Sequence, residues 1–227
     1  MVSPTIGDYV KFGTKGERKK NFERTIYKCR QIKRWHEKNK ERSEKSALLL
    51  NLLSAVADYL EVACDCFDKH ISIIAMATRN QYELNLRIRS LLKDEEGIKA
   101  WKSEAITDGI QAHEGFLDLA ETANPSTAIV SEEINRLERL RKKFGLPVIK
   151  NSMPTANLAR KIGIEDDHKS FFKLYSKLVH PSSYLVNNKK YCTETFFQIL
   201  EIKIQQYAFD SIFRVCEALE IPPKKYM

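Results

Sequence analysis

From Glu17 to Glu96 the chain runs for 80 residues without a glycine or a proline. With so few helix breakers, apolar periodicity is the main guide, and it predicts three helices there. The first spans about Arg18 to Glu44. Phe22, Ile26, Cys29, Ile32 and Trp35 recur every three or four residues and form a narrow apolar stripe on an otherwise polar cylinder, as suits an outer helix with wet, basic faces. The second spans about Lys45 to Phe67. Leu48, Leu49, Leu50, Leu52, Leu53, Val56, Leu60, Val62 and Phe67 cover most of its circumference, the pattern of a central bundle helix. The two could also be one bent rod. The third spans about Asp68 to Lys93, and Gly97 reads as its stop signal.

Further helices follow at about Ile98 to Thr122 and Ser126 to Phe144. The second of these carries acids early and basic residues late, complementing the helix dipole, and ends at Gly145. An irregular connector holds residues 145–154. A short helix follows at about Thr155 to Lys161, then one from Glu165 to Val179, which stops at His180-Pro181 because proline disfavours helix at the residue before it. A last helix from about Cys192 to Glu220 is a second central element, and Pro222-Pro223 close it. No stretch alternates with period two for long enough to make a strand, Val186 to Tyr191 included. The expected fold is all-α, a single domain over residues 1–227. It is a bundle of long helices with a short helical connector near 155–162 and the basic helix of about 15–45 outside.

Composition sharpens the picture in two places. No apolar run reaches the roughly 18 residues of a membrane span, and Met1 to Gly16 lacks the apolar stretch of a secretion signal. Five cysteines, at 29, 64, 66, 192 and 216, are an odd number, mostly within apolar helical stretches. They suit a reducing cytoplasm better than a disulfide framework. The net charge of +8 is the second. Lys15 to Lys45 holds 13 Lys/Arg and 5 Asp/Glu, so this segment carries the entire excess and the rest of the chain is neutral. Such asymmetry points to an acidic partner, such as nucleic acid or an anionic surface; the bland reading is a solvated helix face that keeps the protein soluble. Arg24, Lys28, Arg30, Lys33, Arg34 and Lys38 are the candidate phosphate contacts. Tyr27 and Trp35 among them could stack on unpaired bases, although Trp35 also fits the apolar stripe.

No glycine-rich phosphate loop, HExxH or GxSxG occurs. Cys64-x-Cys66 on a helix points its thiols to different sides and has no second pair nearby, so no metal and no cofactor are expected. His180, at a helix end with Lys173, Ser176 and Lys177 in the preceding two turns, can exchange a proton near neutral pH beside a cation able to steady phosphate charge. The bland reading is a histidine capping the last carbonyls of its helix or hydrogen-bonded in the core. Arg79 and Glu83, four apart among apolar neighbours, read as a structural ion pair or as an arginine that Glu83 aims at a pocket.

The run Ala159-Arg-Lys-Ile-Gly163, then Phe172-Lys-Leu-Tyr175-Ser176-Lys-Leu-Val-His180-Pro181-Ser182, resembles a group of bacterial all-helical proteins related to the HEPN superfamily. In that group a short A-x-x-x-G helix precedes a Y-x-x-x-S-x-x-x-H-like helix, matched here by Tyr175 or Leu174, Ser176 and His180. An upstream Arg with a Glu four residues on is matched by Arg79 and Glu83. The resemblance covers about residues 70–190. It implies a helical bundle, often a homodimer, from prokaryotic antiviral defence or toxin–antitoxin systems, with RNA or a protein partner such as an antitoxin. Active HEPN proteins are metal-independent ribonucleases whose Arg precedes the His by four to six residues. Two copies meet across a dimer, the His moving a proton for attack by the RNA 2′-hydroxyl and the Arg holding the phosphate. Here the permitted arginine positions hold Lys173, Leu174 and Tyr175. Lys173 keeps the charge without the guanidinium fork, and Arg79 is the other candidate for the phosphate. The resemblance thus implies His180 as acid or base, Lys173 or Arg79 on the phosphate, Glu83 orienting Arg79, and Ser176 positioning substrate or His180. The rival reading is a non-catalytic helical module that binds a protein or nucleic acid.

Overall fold

A computed structural model describes residues 6–67, 69–123, 127–188 and 194–226. Among these residues every regular element is a helix, as the apolar periodicity leads one to expect. They fall into two compact units, Met1–Arg89 with Leu158–Met227, and Ser90–Asn157.

The first unit begins with a short helix, α1 (Ile6–Tyr9), then α2 (Lys15–Asn39) and α3 (Glu44–Asp65). α2 ends at Asn39, five residues before the expected boundary, and the bent-rod alternative does not occur. Ser43 and Ser46 form a reciprocal capping box that starts α3 afresh. Thr14 and Glu17 do the same for α2. α4 (Ile71–Lys93) follows; Asp68, where its start was expected, lies outside the described residues. Gly97 does not stop it. It lies in the first turn of the next helix, where its N–H donates to Asp94 Oδ1 at 2.7 Å. A Cβ there would come within 3.1 Å of the Ser90 carbonyl, so glycine permits a close backbone approach.

The first unit resumes with α7 (Thr155–Ile162), whose last residues belong to it and which Gly163 ends at φ +78°. α8 (Glu165–Asp167), a π-helical turn (His168–Phe172) and α9 (Lys173–Val179) then form one helical stretch. A short helix that periodicity did not indicate, α10 (Ser183–Asn188), comes next. α11 (Glu194–Ala218) follows; Cys192 lies outside the described residues. A 3-10 turn, Pro223–Lys225, comes last.

α3 is the central helix that its composition indicates. Leu49, Leu53, Val56, Leu60 and Ala63 are at most 1% exposed. By length and apolar content α3 could also cross a membrane, which no uninterrupted run of apolar residues had suggested, but half of that stretch is buried by neighbouring helices. A bundle's central helix is apolar nearly all round for the same reason. α2 and α11 pack on it, and buried side-chain bonds tie in α4: Gln81 Nε2 donates to the Val56 carbonyl at 2.5 Å and Asn85 Nδ2 to Asp210 at 2.7 Å. Cys29, Cys64 and Cys216 are buried free thiols, and burial pushes Cys29 up to about 12.

The remaining unit is a helical hairpin, α5 (Glu95–Ala123) against α6 (Ala128–Lys143). Its apolar centre is Ile106, Ile110 and Leu146, with Ile134, Leu137 and Leu140 packed against them. The irregular connector is bound back along α5 through Thr107 to the Ile149 carbonyl, Gln111 to the Lys150 carbonyl, and Met153 N–H to Glu104.

A polar network deep in the first unit seats α2. Arg18 Nε donates to Glu201 Oε2 at 2.6 Å, and the two side chains are 3% and 1% exposed. Asn21 donates to Gln205 and to the Tyr9 carbonyl, both at 2.6 Å, while Gln205 exchanges bonds with the Lys11 backbone. Glu201 Oε1 is buried without a hydrogen-bond partner among the described residues, and burial raises the carboxyl's pKa against the pull of Arg18. Removing one partner of a buried pair strands the other charge. Arg18→Ala or Glu201→Ala is therefore expected to cost about 3–5 kcal/mol in urea denaturation. The apolar pair Arg18→Met with Glu201→Leu should recover most of that loss. Single variants within about 1 kcal/mol of the parent would remove this pair from any governing role.

Candidate functional site

The expected site residues occupy three places. The first is the end of α9. Lys173, Ser176 and His180 recur at spacings of three and four and share one face, opposite buried Tyr175 and Leu178. Lys173 and His180 are exposed and Ser176 is half-buried. His180 takes extended backbone as the helix cap, its N–H reaching the Ser176 carbonyl at 3.4 Å. Its ring bonds to no described residue, so the expected bland role of a side-chain cap is not the one observed. Ser182 does that work instead, its hydroxyl donating to the Lys177 carbonyl at 2.8 Å. Pro181 lies on the wall of an apolar hollow of about 610 Å³ that also includes Ile71, Ile73, Leu185 and Phe197.

The second place is where α4 meets the π turn. Arg79 Nε donates to Glu83 Oε1 at 2.9 Å, so the i,i+4 pairing legible in the sequence does form. The guanidinium carbon sits 4.6 Å from the centre of the Phe172 ring. Phe172 precedes His180 by eight residues, about 12 Å of helical rise. No hydrogen bond joins Arg79 to His180; the contacts of Arg79 are Glu83 and Phe172.

Arg79 instead borders a cluster that sequence reasoning missed. The π turn adds a residue to the helical repeat and turns His168, Phe172 and Tyr175 toward α4. His168 Nδ1 lies 3.1 Å from the Tyr82 hydroxyl, and its ring stacks on Phe172 with centroids 4.6 Å apart. Tyr175 and Tyr207 share a hydroxyl–hydroxyl bond of 2.9 Å, and Lys203 Nζ lies 3.8 Å from the Phe171 ring centre. Burial pushes the tyrosine hydroxyls up, Tyr207 to about 12, and lowers the Lys203 ammonium despite Asp167. Burial also lowers His168, with Glu83 pulling the other way. The arrangement favours the neutral imidazole, with one ring nitrogen engaged by Tyr82. The H-x-x-F-F-x-x-Y run was visible, but not the wide turn that gathers it.

The third place is α2. Lys28 donates to the Tyr226 carbonyl at 2.9 Å, Arg30 pairs with Glu61 at 2.7 Å, and Lys33 donates to Ser54 at 3.1 Å. Arg24, Arg34 and Lys38 are exposed and make no hydrogen bond or ion pair with a described residue. Arg30, Lys33 and Arg34 line a cleft of about 360 Å³ against α3, but Glu37 and Asp58 share it and offset their charge. Among the described residues no three His, Cys, Asp or Glu side chains gather in a metal-binding group.

These features define an all-α protein with an exposed basic helix and an ionisable aromatic cluster between helices. The chain belongs to the family of unknown function DUF5677, which matches residues 45–194. No curated protein and no solved structure matches it. The matched span includes Arg79, Glu83, His168, Lys173, Ser176 and His180.

His168 provides a pH test. A histidine whose folded pKa is depressed contributes its full share of stability above the ordinary histidine range. That share is lost as pH falls through the unfolded value of about 6.5 toward the folded one. Lowering the pH from about 7.5 to about 5.5 should therefore depress the Tm of the parent more than that of His168→Phe, which keeps the ring stacking. Equal slopes for the two proteins would show that His168 does not titrate differently in the folded and unfolded states.

Proposed function

We propose that this protein is an RNA-directed relative of the HEPN proteins, acting in the cytoplasm in prokaryotic defence or a toxin system. The observation that carries the reading is charge placement. The segment holding the whole net charge of +8 is chiefly one helix, and Arg24, Arg34 and Lys38 on it are exposed and make no hydrogen bond or ion pair with a described residue. Unpaired cations on a rigid helix can neutralise phosphates and release their counterions. The resemblance through Ala159, Gly163, Tyr175, Ser176 and His180 supplies the RNA class.

In its catalytic form the reading assigns His180 as the acid or base for attack by a 2′-hydroxyl. Lys173, on the same exposed face, steadies the phosphate, and Ser176 positions the substrate. A second copy of the chain could supply a guanidinium, as in HEPN dimers. The rival reading, a helical module that binds nucleic acid or a protein partner such as an antitoxin without turnover, draws on a specific observation. Arg79 is held by Glu83 and by Phe172, which itself precedes His180 by about 12 Å of helical rise.

A mixed RNA pool incubated with purified protein in excess EDTA separates the two. The catalytic reading expects cleavage that His180→Ala reduces at least about a hundredfold, within the usual contribution of a general acid or base. Cleavage unchanged in His180→Ala would remove that residue from the chemistry. Binding without cleavage, weakening steeply with salt, would select the module.

A further inference from the structure

α2 buries one face and turns another directly away from it. The buried seam is Arg18, Phe22, Ile26, Cys29, Ile32 and His36, all at most 8% exposed. Stepping by four and three residues along the opposite side gives Lys20, Arg24, Tyr27, Gln31, Arg34 and Lys38. These six lie on one side of the helix over about 27 Å, with Arg34 also edging the cleft that Glu37 and Asp58 share and Arg24 edging a hollow beside Asp8 and Tyr9. This stripe contains four cations; Glu23, one turn from both Lys20 and Tyr27, borders it, and Glu17 and Glu37 lie farther round the helix. Midway along it stands Tyr27, 63% exposed, with no hydrogen bond or ring partner among the described residues. Gln31, one turn on, offers both a donor and an acceptor.

We propose that this stripe is a binding surface for single-stranded RNA, with Tyr27 stacking on one unpaired base and the two pairs of cations holding phosphates on either side. The proposal rests on the RNA-directed reading above and adds which face binds and which form of RNA fits. The fold sorts the cations of α2. Those toward its flanks are engaged: Lys28 with Tyr226, Arg30 with Glu61, Lys33 with Ser54. Lys20, Arg24, Arg34 and Lys38 on the stripe make no ion pair with a described residue. A solvated surface helix accounts for free cations, but an exposed tyrosine centred among them has no packing function to explain it. Stacking is what a phenol ring adds, and it needs a base whose face is open. In a duplex both faces of each base are already covered, so duplex RNA would meet the cations and leave Tyr27 unused.

The test measures fluorescence anisotropy of the full chain with a labelled single-stranded 12-nucleotide RNA and with a duplex of the same length. Parent protein, Tyr27→Ala, Tyr27→Phe, Arg24→Gln with Arg34→Gln, and Lys19→Gln, a cation of α2 off the stripe, are compared at several salt concentrations. Unchanged Tm values certify folding. The proposal expects the parent to prefer the single strand and Tyr27→Ala to weaken that binding by roughly 5- to 150-fold, the span of one lost base stack. Tyr27→Phe retains the affinity. The double variant lowers the slope of log affinity against log salt by about 1.4, at about 0.7 per phosphate, and Lys19→Gln leaves it unchanged. Duplex bound as tightly as single strand, or Tyr27→Ala equal to the parent, overturns the stripe while leaving an RNA-binding protein. No binding of either RNA at about 50 mM salt overturns the RNA-directed reading itself and the stripe with it.

Discussion

The seating of α2 depends on one buried ion pair. α2 is polar on most of its circumference, and its apolar seam is only one residue wide at each turn, so apolar burial alone would hold it loosely in rotation. Arg18 and Glu201, with Asn21 and Gln205 beside them, fix that rotation because only one register pairs all four. Taking two charges out of water is costly, and the unmatched Glu201 Oε1 shows that the site is not fully compensated. What the pair provides is orientation. A helix turned by one residue would carry Tyr27 and the free cations about 100° around its axis, at 3.6 residues per turn. The face that α2 turns to solvent is therefore set by a bond on the far side of the helix.

Helices were legible in the sequence where a long periodic face had to be buried. Phe22, Ile26, Cys29 and Ile32 gave the seam of α2, and the nearly continuous apolar circumference of α3 gave its central place. Boundaries were less legible where side chains rather than glycine or proline made the break. Ser43 and Ser46 end the ambiguity between α2 and α3 by capping, yet serine is common enough that the pair did not stand out. Gly97 misled in the other direction: it was read as a conformational stop, but its use is steric, admitting the Ser90 carbonyl. The Arg18–Glu201 pair, 183 residues apart, leaves no local pattern at all.

The same division holds for the candidate site. Arg79 with Glu83 was legible because an i,i+4 pair is a property of one helix. The shared face of Lys173, Ser176 and His180 was legible for the same reason. The grouping of His168 with Tyr82 was not, since it needs two helices and a π turn that departs from the 3.6-residue repeat on which periodicity rests. For the basic segment, composition gave the total charge but could not say which cations the fold would use. Lys28, Arg30 and Lys33 are distinguished from Arg24, Arg34 and Lys38 only by partners on distant segments.

The family match over residues 45–194 takes in α3 through α10 and leaves out α2 and nearly all of α11. Both halves of the buried pair therefore lie outside it, as does the whole Tyr27 stripe, while Arg79, His168 and His180 lie within. Whatever the family pattern carries lies within residues 45–194 and cannot be inferred from the charge of α2. Conversely, the exposed face of α2 is built without His180. Because α2 and the end of α9 are held by different contacts, the binding proposed for one and the chemistry proposed for the other can be tested separately. A substitution on the exposed face of α2 leaves the face of Lys173, Ser176 and His180 as the fold builds it, so each proposal is tested on its own helix.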